Sequence, residues 1–158
     1  MLDKISSKLE SKIDDYALLL TITDETMIKY ANSQPSVTQS WNTYELNLYL
    51  IKNKKSIIVG LRNPNEKDLD LILESSLNKL EKMKETELLP EFPSIKAHDN
   101  LSAFDKKIIE VQNNLDSLLE IISSRTSSES ELAGMVSLGK KEVILKTSSG
   151  FTGKHINT

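Results

Sequence analysis

Residues 44–61 read YELNLYLIKNKKSIIVGL, and this stretch decides the fold. Every second residue from Leu46 to Leu50 is leucine, and polar or aromatic residues fill the positions between and before them. This alternation predicts a strand of an antiparallel sheet with one buried face. The polar residues Lys52–Lys55 predict a turn, and the apolar run Ser56–Leu61 predicts the next strand. The stretch therefore indicates an antiparallel hairpin.

A helix is predicted directly after this hairpin. Asn63 is suited to the N-cap position and Pro64 to the first helical position. One apolar stripe follows at helical spacing: Leu69, Ile72, Leu73, Leu77, Leu80 and Met83. This helix would cover one face of the sheet.

Upstream of the hairpin, a short amphipathic helix is predicted from apolar residues at helical spacing: Leu2, Ile5, Leu9 and Ile13. Two strands, 16–23 and 27–32, would follow it, joined by a turn at Thr23–Thr26. A longer extended stretch begins after Pro35. The first third thus predicts a helix and a meander of about four strands.

The second half begins with the linker 87–101, in which Pro90 and Pro93 exclude regular helix. Ser102 and Asp105 would cap a third helix with one apolar stripe: Phe104, Ile108, Val111, Leu115, Leu118, Leu119 and Ile122. Strands 131–138 and 141–147 and a turn at 147–150 would follow. The last segment, from Phe151 to Thr158, is predicted to be extended and to lack a partner strand.

The predicted class is α+β, with antiparallel sheet or sheets and three main helices packed on them. Residues 1–86 form a first unit, 87–101 a linker, and 102–158 a second unit that is cut short. Helix, strand, turn and strand occur in the same order in 2–33 and 102–150, which indicates a possible internal duplication. A second unit without further strands indicates the front portion of a longer protein, and an unpaired terminal strand invites dimerisation or strand exchange.

Composition excludes several classes of protein. The chain has 158 residues, 20 basic and 23 acidic side chains without a basic stripe, and no cysteine. Direct nucleic-acid binding, disulfides and thiolate metal sites are therefore not expected. The longest apolar run near the start, Ala17–Leu20, is far too short to span a membrane. With no signal-peptide pattern, the expected location is the cytoplasm.

No catalytic, cofactor-binding or metal-binding residue is predicted. His98 and His155, the two histidines, are far apart and have no zinc-ligand spacing. The segment SGFTGKH (149–155) lacks the glycine and hydroxyl positions of a phosphate loop, so a turn explains its glycines. Carboxylate pairs such as Asp24–Glu25 and Asp68–Asp70 lie at element ends or on solvated faces, and Trp41 is expected to be a core or interface anchor.

Three segments resemble the amino-terminal region of the TldD/PmbA family, modulators of DNA gyrase and zinc-dependent peptidases. They are MIKYANSQPSVTQSW (27–41), the strand–turn–strand–helix segment 44–80, and KEVILKTSSGFTGKHINT (141–158). The family's catalytic signature, His-Glu followed by three residues and a second His, does not occur in residues 1–158. Family members usually carry glycines and an arginine in the strand that corresponds to residues 45–50. This sequence has neither glycine nor arginine there.

The resemblance implies a non-catalytic part that scaffolds a peptide-binding cavity and a subunit contact. It implies a homo- or hetero-oligomer with a TldD/PmbA-like subunit and an unstructured peptide as possible substrate. Zinc is implied only if a downstream metal motif exists. The alternative is a stand-alone adaptor or dimerisation module without enzymatic activity, since small longin- or roadblock-like scaffolds also combine a helix, an antiparallel meander and a covering helix.

Overall fold

The computed structural model describes residues 1–89, Phe92, 103–124 and 131–158. These residues form one five-stranded antiparallel sheet and four helices, which confirms the α+β class. The sheet has the order β3-β2-β1-β4-β5. In chain order the elements are α1 (Leu2–Leu9), β1 (Asp15–Ala31), β2 (Gln34–Lys52), β3 (Lys55–Arg62), α2 (Glu66–Lys82), α3 (Lys106–Asn113), α4 (Leu115–Ser123), β4 (Gly134–Thr147) and β5 (Thr152–Asn157).

The strands of the first part are fewer and longer than the sequence predicts. The turn predicted at Thr23–Thr26 is wrong, because β1 passes through it without interruption. The break predicted at Pro35 is also absent, since β2 begins at Gln34 and includes this proline. The predicted four-strand meander is therefore a meander of three strands.

Both tight turns of this meander use residues with positive φ. Asn32 and Ser33 connect β1 to β2 with φ of 51° and 59°, and Asn53 and Lys54 connect β2 to β3 with φ of 50° and 59°. Two consecutive positive φ values match the right-handed twist of a hairpin, and asparagine tolerates them better than most residues. The polar turn predicted at residues 52–55 is confirmed.

Helix α2 lies where the sequence predicts it, but its N-cap is Asn65 and not Asn63. The side chain of Asn65 accepts a hydrogen bond from the backbone N–H of Lys67, 2.9 Å away. Asn63 has a φ of 48°, which an N-cap residue does not adopt. Its side chain instead accepts a hydrogen bond of 2.8 Å from the backbone N–H of Tyr44, which extends the β2–β3 pairing.

The single third helix predicted from residue 104 to residue 122 is two helices. Asn114 separates α3 from α4 with φ −131° and ψ 77°, outside the helical range. Asp105 is the N-cap of α3 and accepts a hydrogen bond from the N–H of Lys107. Ser102, the other predicted cap, lies outside the described residues. The described residues thus contain four helices rather than three main ones.

The last part also differs from its prediction. Strands predicted at 131–138 and 141–147 form one strand, β4, that continues through Gly139 and Lys140. The turn at 147–150 is confirmed, with Gly150 at a φ of 86°. The segment after it is β5, which lies beside β4 in the sheet. The expectation that this segment lacks a partner is therefore wrong.

Two compact units are present. The first comprises residues 1–22, 43–100 and 143–155. It contains α1, α2 and β3 and parts of the other four strands, whereas α3 and α4 belong to the second unit. The aliphatic core of the first unit joins its helices to one face of the sheet. The members of this core are Leu2, Ile5, Leu9, Tyr16, Leu18, Leu20, Leu46, Leu48, Leu50, Leu69, Leu73 and Leu80.

The alternation predicted for residues 44–50 is confirmed in this first unit. Leu46, Leu48 and Leu50 are fully buried, whereas Glu45 and Asn47 are exposed. Ile57, Val59 and Leu61 of β3 pack against the same core. The buried face of the hairpin therefore receives α1 and α2.

The second unit comprises residues 23–42, 101–142 and 156–158. Met27, Ile28 and Tyr30 of β1 are buried in it, and no residue of α3 is fully buried. The domain boundaries at 86 and 101 and the internal duplication stay predictions. Among the described residues, no helix has the length and apolar character needed to cross a membrane.

Candidate functional site

Side chains that could carry chemistry are dispersed over the described residues. His155 is exposed on β5, and His98 lies outside the described residues. In the described part of the chain, no three histidine or carboxylate side chains come close enough together to hold a metal ion. Zinc, the metal that the family resemblance implies, therefore has no fitting ligand set among these residues.

The segment 149–155 is a hairpin turn and not a phosphate loop. The backbone N–H of Thr147 donates to the carbonyl oxygen of Phe151 at 3.0 Å, which closes the turn between β4 and β5. Gly153 lies on β5, where a Cβ atom would be 2.7 Å from the ring of Phe151. These glycines are explained by the turn and by this close contact.

Two exposed ion pairs lower the pKa values of their carboxyl groups. Lys146 donates a hydrogen bond of 2.6 Å to Asp3, which lowers the pKa of this carboxyl and raises the pKa of Lys146. Lys8 likewise donates to Asp70, and this hydrogen bond lowers the pKa of Asp70. Both pairs tie α1 to another element of the first unit, so they are explained by structure.

A small cavity of about 220 Å³ lies in the second unit, between β1 and β4. Asp24 and Glu25 line it from β1, and Gly139 lies in close contact with the backbone of Asp24. The side chain of Asp24 accepts a hydrogen bond of 3.0 Å from Gln112 of α3. The Oδ1 atom of Asn157 is buried at this cavity without a hydrogen-bond partner in the described structure. The cavity combines acidic, basic and apolar groups and indicates no single class of ligand.

A larger groove of about 600 Å³ runs along β3 in the first unit. One wall is the strand itself, from Ile57 to Leu61, and the other is one face of α2. Two large apolar side chains of these walls are exposed: Leu71 of α2 is 68% exposed, and Ile58, whose side chain lies on the face of β3 opposite α2, is 73% exposed. We define this feature as the β3–α2 groove; its α2 wall consists of Leu71, Ile72, Ser75, Ser76 and Lys79.

Trp41 lies on the surface of the second unit, not in its core. It is 36% exposed, and Val37 on the same strand is also exposed. Of the two roles predicted for Trp41, core anchor is therefore wrong, and interface anchor stays a prediction.

The sequence pattern does not predict the β3–α2 groove. Its signal was present in the alternation of β3, because burying Ile57, Val59 and Leu61 directs Ile58 to the opposite side. A second signal was Leu71, which lies off the apolar stripe of α2. Neither signal shows from sequence that helix and strand face each other across a groove.

Comparison with known proteins gives matches in structure only. No protein-family model matches the sequence, and no curated protein matches it. The chain superposes on TldE from Thermococcus kodakarensis with a TM-score of 0.80, 9% identity and 99% of its residues covered. The chain has the fold of the part of this protein that it matches.

Two further solved structures share this TldE fold. A candidate modulator of DNA gyrase from Bacteroides thetaiotaomicron matches 98% of the chain with a TM-score of 0.71 and 15% identity. Another from Thermotoga maritima matches 99% with a TM-score of 0.68 and 12% identity. The predicted resemblance to the amino-terminal region of the TldD/PmbA family is thus confirmed at the level of the fold.

The chain spans only part of these proteins. It corresponds to 36% of the TldE chain, 38% of the Bacteroides protein and 36% of the Thermotoga protein. At 9–15% identity the comparison concerns the fold and not the chemistry of individual residues.

Proposed function

We propose that the chain is a non-catalytic structural domain of a TldD/PmbA-type protein. It would form part of the wall of a peptide-holding cavity and part of a subunit contact, in a cytoplasmic homo- or hetero-oligomer. The observation that carries this proposal is the match of nearly the whole chain to about a third of TldE. A fold shared over this length supports a shared place in the larger molecule.

In this setting the reaction is zinc-assisted hydrolysis of unstructured peptides, carried out by residues outside this chain. The described residues do not fit a zinc ion, so no catalytic step is assigned to them. A metal held elsewhere would polarise the scissile carbonyl and activate water. The part of this chain would be to hold neighbouring segments in position through its sheet and aliphatic core.

A chimeric protein tests this proposal. The matching 36% of Thermococcus TldE would be replaced by this chain, and assembly with a TldD-type subunit measured by size-exclusion chromatography with light scattering. We expect the chimera to form the same oligomer as TldE and to support zinc-dependent cleavage of an unfolded peptide. A folded chimera that stays monomeric would contradict the subunit-contact role.

The alternative function is a stand-alone adaptor or dimerisation module. Exposed apolar side chains such as Ile58 and Leu71 favour it, because a docking surface needs such groups. The intact mass of the native protein in extracts of its source cells separates the two functions. A mass several times 17.8 kDa supports the domain of a larger protein, and a mass near 17.8 kDa supports the adaptor.

A further inference from the structure

The β3–α2 groove combines an open strand edge with an apolar wall. β3 is the first strand in the order of the sheet, so only β2 pairs with it. Helix α2 packs against β3 through its buried side. The groove lies between β3 and the more exposed side of the same helix. A strand edge beside a groove of this size is a geometry that accepts an extended segment.

The register determines which backbone groups of β3 face outward. Lys52 pairs with Lys55 across a two-residue turn, and such a flanking pair exchanges both backbone hydrogen bonds. The bonded pairs then alternate along the hairpin, so Ile57 and Val59 bond to β2. The hydrogen bonds between Asn63 and Tyr44 follow the same alternation.

Ser56, Ile58 and Gly60 therefore direct their backbone N–H and C=O groups away from β2. No other described residue forms a hydrogen bond with these groups. A segment added along this edge would pair with them and extend the sheet by one strand. Gly60 has no side chain, so one part of the edge is open to close approach.

Alternate side chains of the added strand would meet α2. The middle of the helical wall is formed by Ser75 and Ser76, which leave room, and Leu71 and Ile72 give it apolar surface. The added strand would cover Leu71 on the α2 side and Ile58 on the opposite face of the sheet. Burial of this apolar surface would supply the driving force, at about 25 cal/mol for each Å² removed from water. Alternating apolar residues in the segment would fit this wall.

One end of the groove is basic. Lys79 lines it, and the Nζ atom of Lys55 lies 2.7 Å from the carbonyl oxygen of Glu81, at the same end of α2. At the other end Arg62 already has a carboxylate neighbour, with Glu45 4.0 Å away on β2. Charge complementarity therefore favours an acidic terminus of the segment beside Lys55 and Lys79.

A second copy of the chain fits less well. Antiparallel pairing of two β3 strands around a two-fold axis would bring the Lys54–Lys55 end of one copy to Arg62 of the other. Like charges at opposed positions of neighbouring strands are destabilising. The charges thus favour a different polypeptide.

We infer that the β3–α2 groove binds an extended segment of a partner polypeptide, with alternating apolar residues and an acidic end, as a sixth strand of the sheet. This inference does not rest on the proposed function, since the groove lies within the first unit and needs no assembly around it.

The probe is a fluorescent synthetic peptide of alternating valine and threonine that ends in two glutamates. Its binding to the full chain is measured by fluorescence anisotropy at low salt. We expect saturable binding, weaker binding of a peptide that ends in two lysines, and loss of binding when alternate peptide amides are N-methylated. Lys79→Glu should weaken binding of the glutamate peptide by about 3- to 10-fold, and Lys107→Glu, at an exposed position of α3 in the second unit, should not.

Hydrogen exchange followed by NMR locates the peptide. The amides of Ile58 and Gly60 should exchange more slowly in its presence, and those of Ile57 and Val59, already bonded to β2, should not change. Absence of binding to the folded chain, unchanged exchange at Ile58 and Gly60, or equal binding of the N-methylated peptide would each overturn the inference. Slower exchange at Ile58 with rising protein concentration and no peptide would overturn it in favour of a second copy.

Discussion

Two buried tyrosines differ in what their hydroxyl groups contact. The hydroxyl of Tyr16 lies 2.5 Å from the Oγ atom of Ser6, in a buried hydrogen bond between β1 and α1. The hydroxyl of Tyr30 is buried without a partner among the described residues, and burial raises its pKa. A buried hydroxyl without a partner is unfavourable, whereas a bonded one contributes to stability.

Replacing each tyrosine by phenylalanine measures this difference. Tyr16→Phe should lower the free energy of unfolding by about 1 kcal/mol, because it removes one buried hydrogen bond. Tyr30→Phe should leave it unchanged or raise it by up to ~1 kcal/mol, because it removes only an unsatisfied group. Urea unfolding followed by circular dichroism gives both values. A larger loss for Tyr30→Phe than for Tyr16→Phe would contradict this assignment.

The ion pair of Asp70 with Lys8 predicts a pH dependence. The hydrogen bond from Lys8 holds the pKa of Asp70 below its ordinary value of 3.8 in the folded chain. The pair therefore stabilises the fold above this pH, and its contribution is lost as the pH falls through the lowered folded pKa. Asp70→Asn should reduce the decline of stability on the acid side.

Thermal unfolding at a series of pH values on either side of 3.8 measures this effect. Glu74→Gln, which removes a carboxylate from an exposed position of the same helix, is the control. The effect should be small and should shrink with added salt, because both side chains of the pair are partly exposed. An equal change in the two variants would mean that net charge, and not the pair, is responsible.

Single residues also limited what the sequence could predict. The pattern favours Asn63 as the cap because Pro64 follows it, but Asn65, two positions later, is the cap in the structure. The choice follows from Asn63 having a positive φ and bonding to β2, which is a tertiary contact. The sequence therefore predicted correctly that α2 begins here, but the predicted cap, Asn63, is wrong.

At the scale of elements, the errors share one cause. The polar stretch Thr23–Thr26 and the Gly139–Lys140 pair each interrupt an apolar run, so the pattern predicts a turn at the first and the end of a strand at the second. The true hairpin turns are those with asparagine or glycine at positive φ, at Asn32, Asn53 and Gly150. The true turns are therefore marked by residues that tolerate a positive φ. Polarity alone does not mark them, since half-exposed strands also carry polar residues.

Gly139 has a packing role in β4 that Gly134 lacks. A Cβ atom at position 139 would lie 2.5 Å from the backbone oxygen of Asp24 in β1, so the strands approach too closely for a side chain. A Cβ atom at position 134 would meet nothing within 4 Å. Both glycines lie in the same strand, which makes them a matched pair.

Alanine at these two positions should therefore have opposite outcomes. Gly139→Ala should lower the free energy of unfolding by about 1–3 kcal/mol, because the two backbones must separate. Gly134→Ala should have little effect or stabilise slightly, since alanine lowers the entropy of the unfolded chain. Chemical unfolding of both variants measures this, and equal stabilities would show that β1 and β4 separate without cost.

At the scale of the whole molecule, sequence predicted the class and the order of most elements, because these follow from local periodicity. It predicted a partner-free last strand, whereas β5 pairs with β4. It also did not predict that the first compact unit includes residues 143–155. Contacts between residues more than a hundred positions apart leave no local pattern.

Three contacts connect these late residues to the start of the chain. Ile144 packs against the core of the first unit, the N–H of Ser148 donates to the carbonyl oxygen of Tyr16 at 3.0 Å, and Lys146 pairs with Asp3. A chain of residues 1–86 would keep α1, β1, β2, β3 and α2 but lose all three contacts. It would also expose the edge of β1 that β4 covers.

We therefore expect residues 1–86 alone to unfold without the cooperative transition of the full chain, or to aggregate through the exposed edge of β1. Adding a peptide of residues 134–158, which contains β4 and β5, should restore strand signal in circular dichroism, and a scrambled peptide should not. Cooperative unfolding of residues 1–86 near the stability of the full chain would contradict this prediction. It would mean that the leucine core closed by α1 and α2 suffices without β4, and that the late strands are an addition to a unit that is already complete.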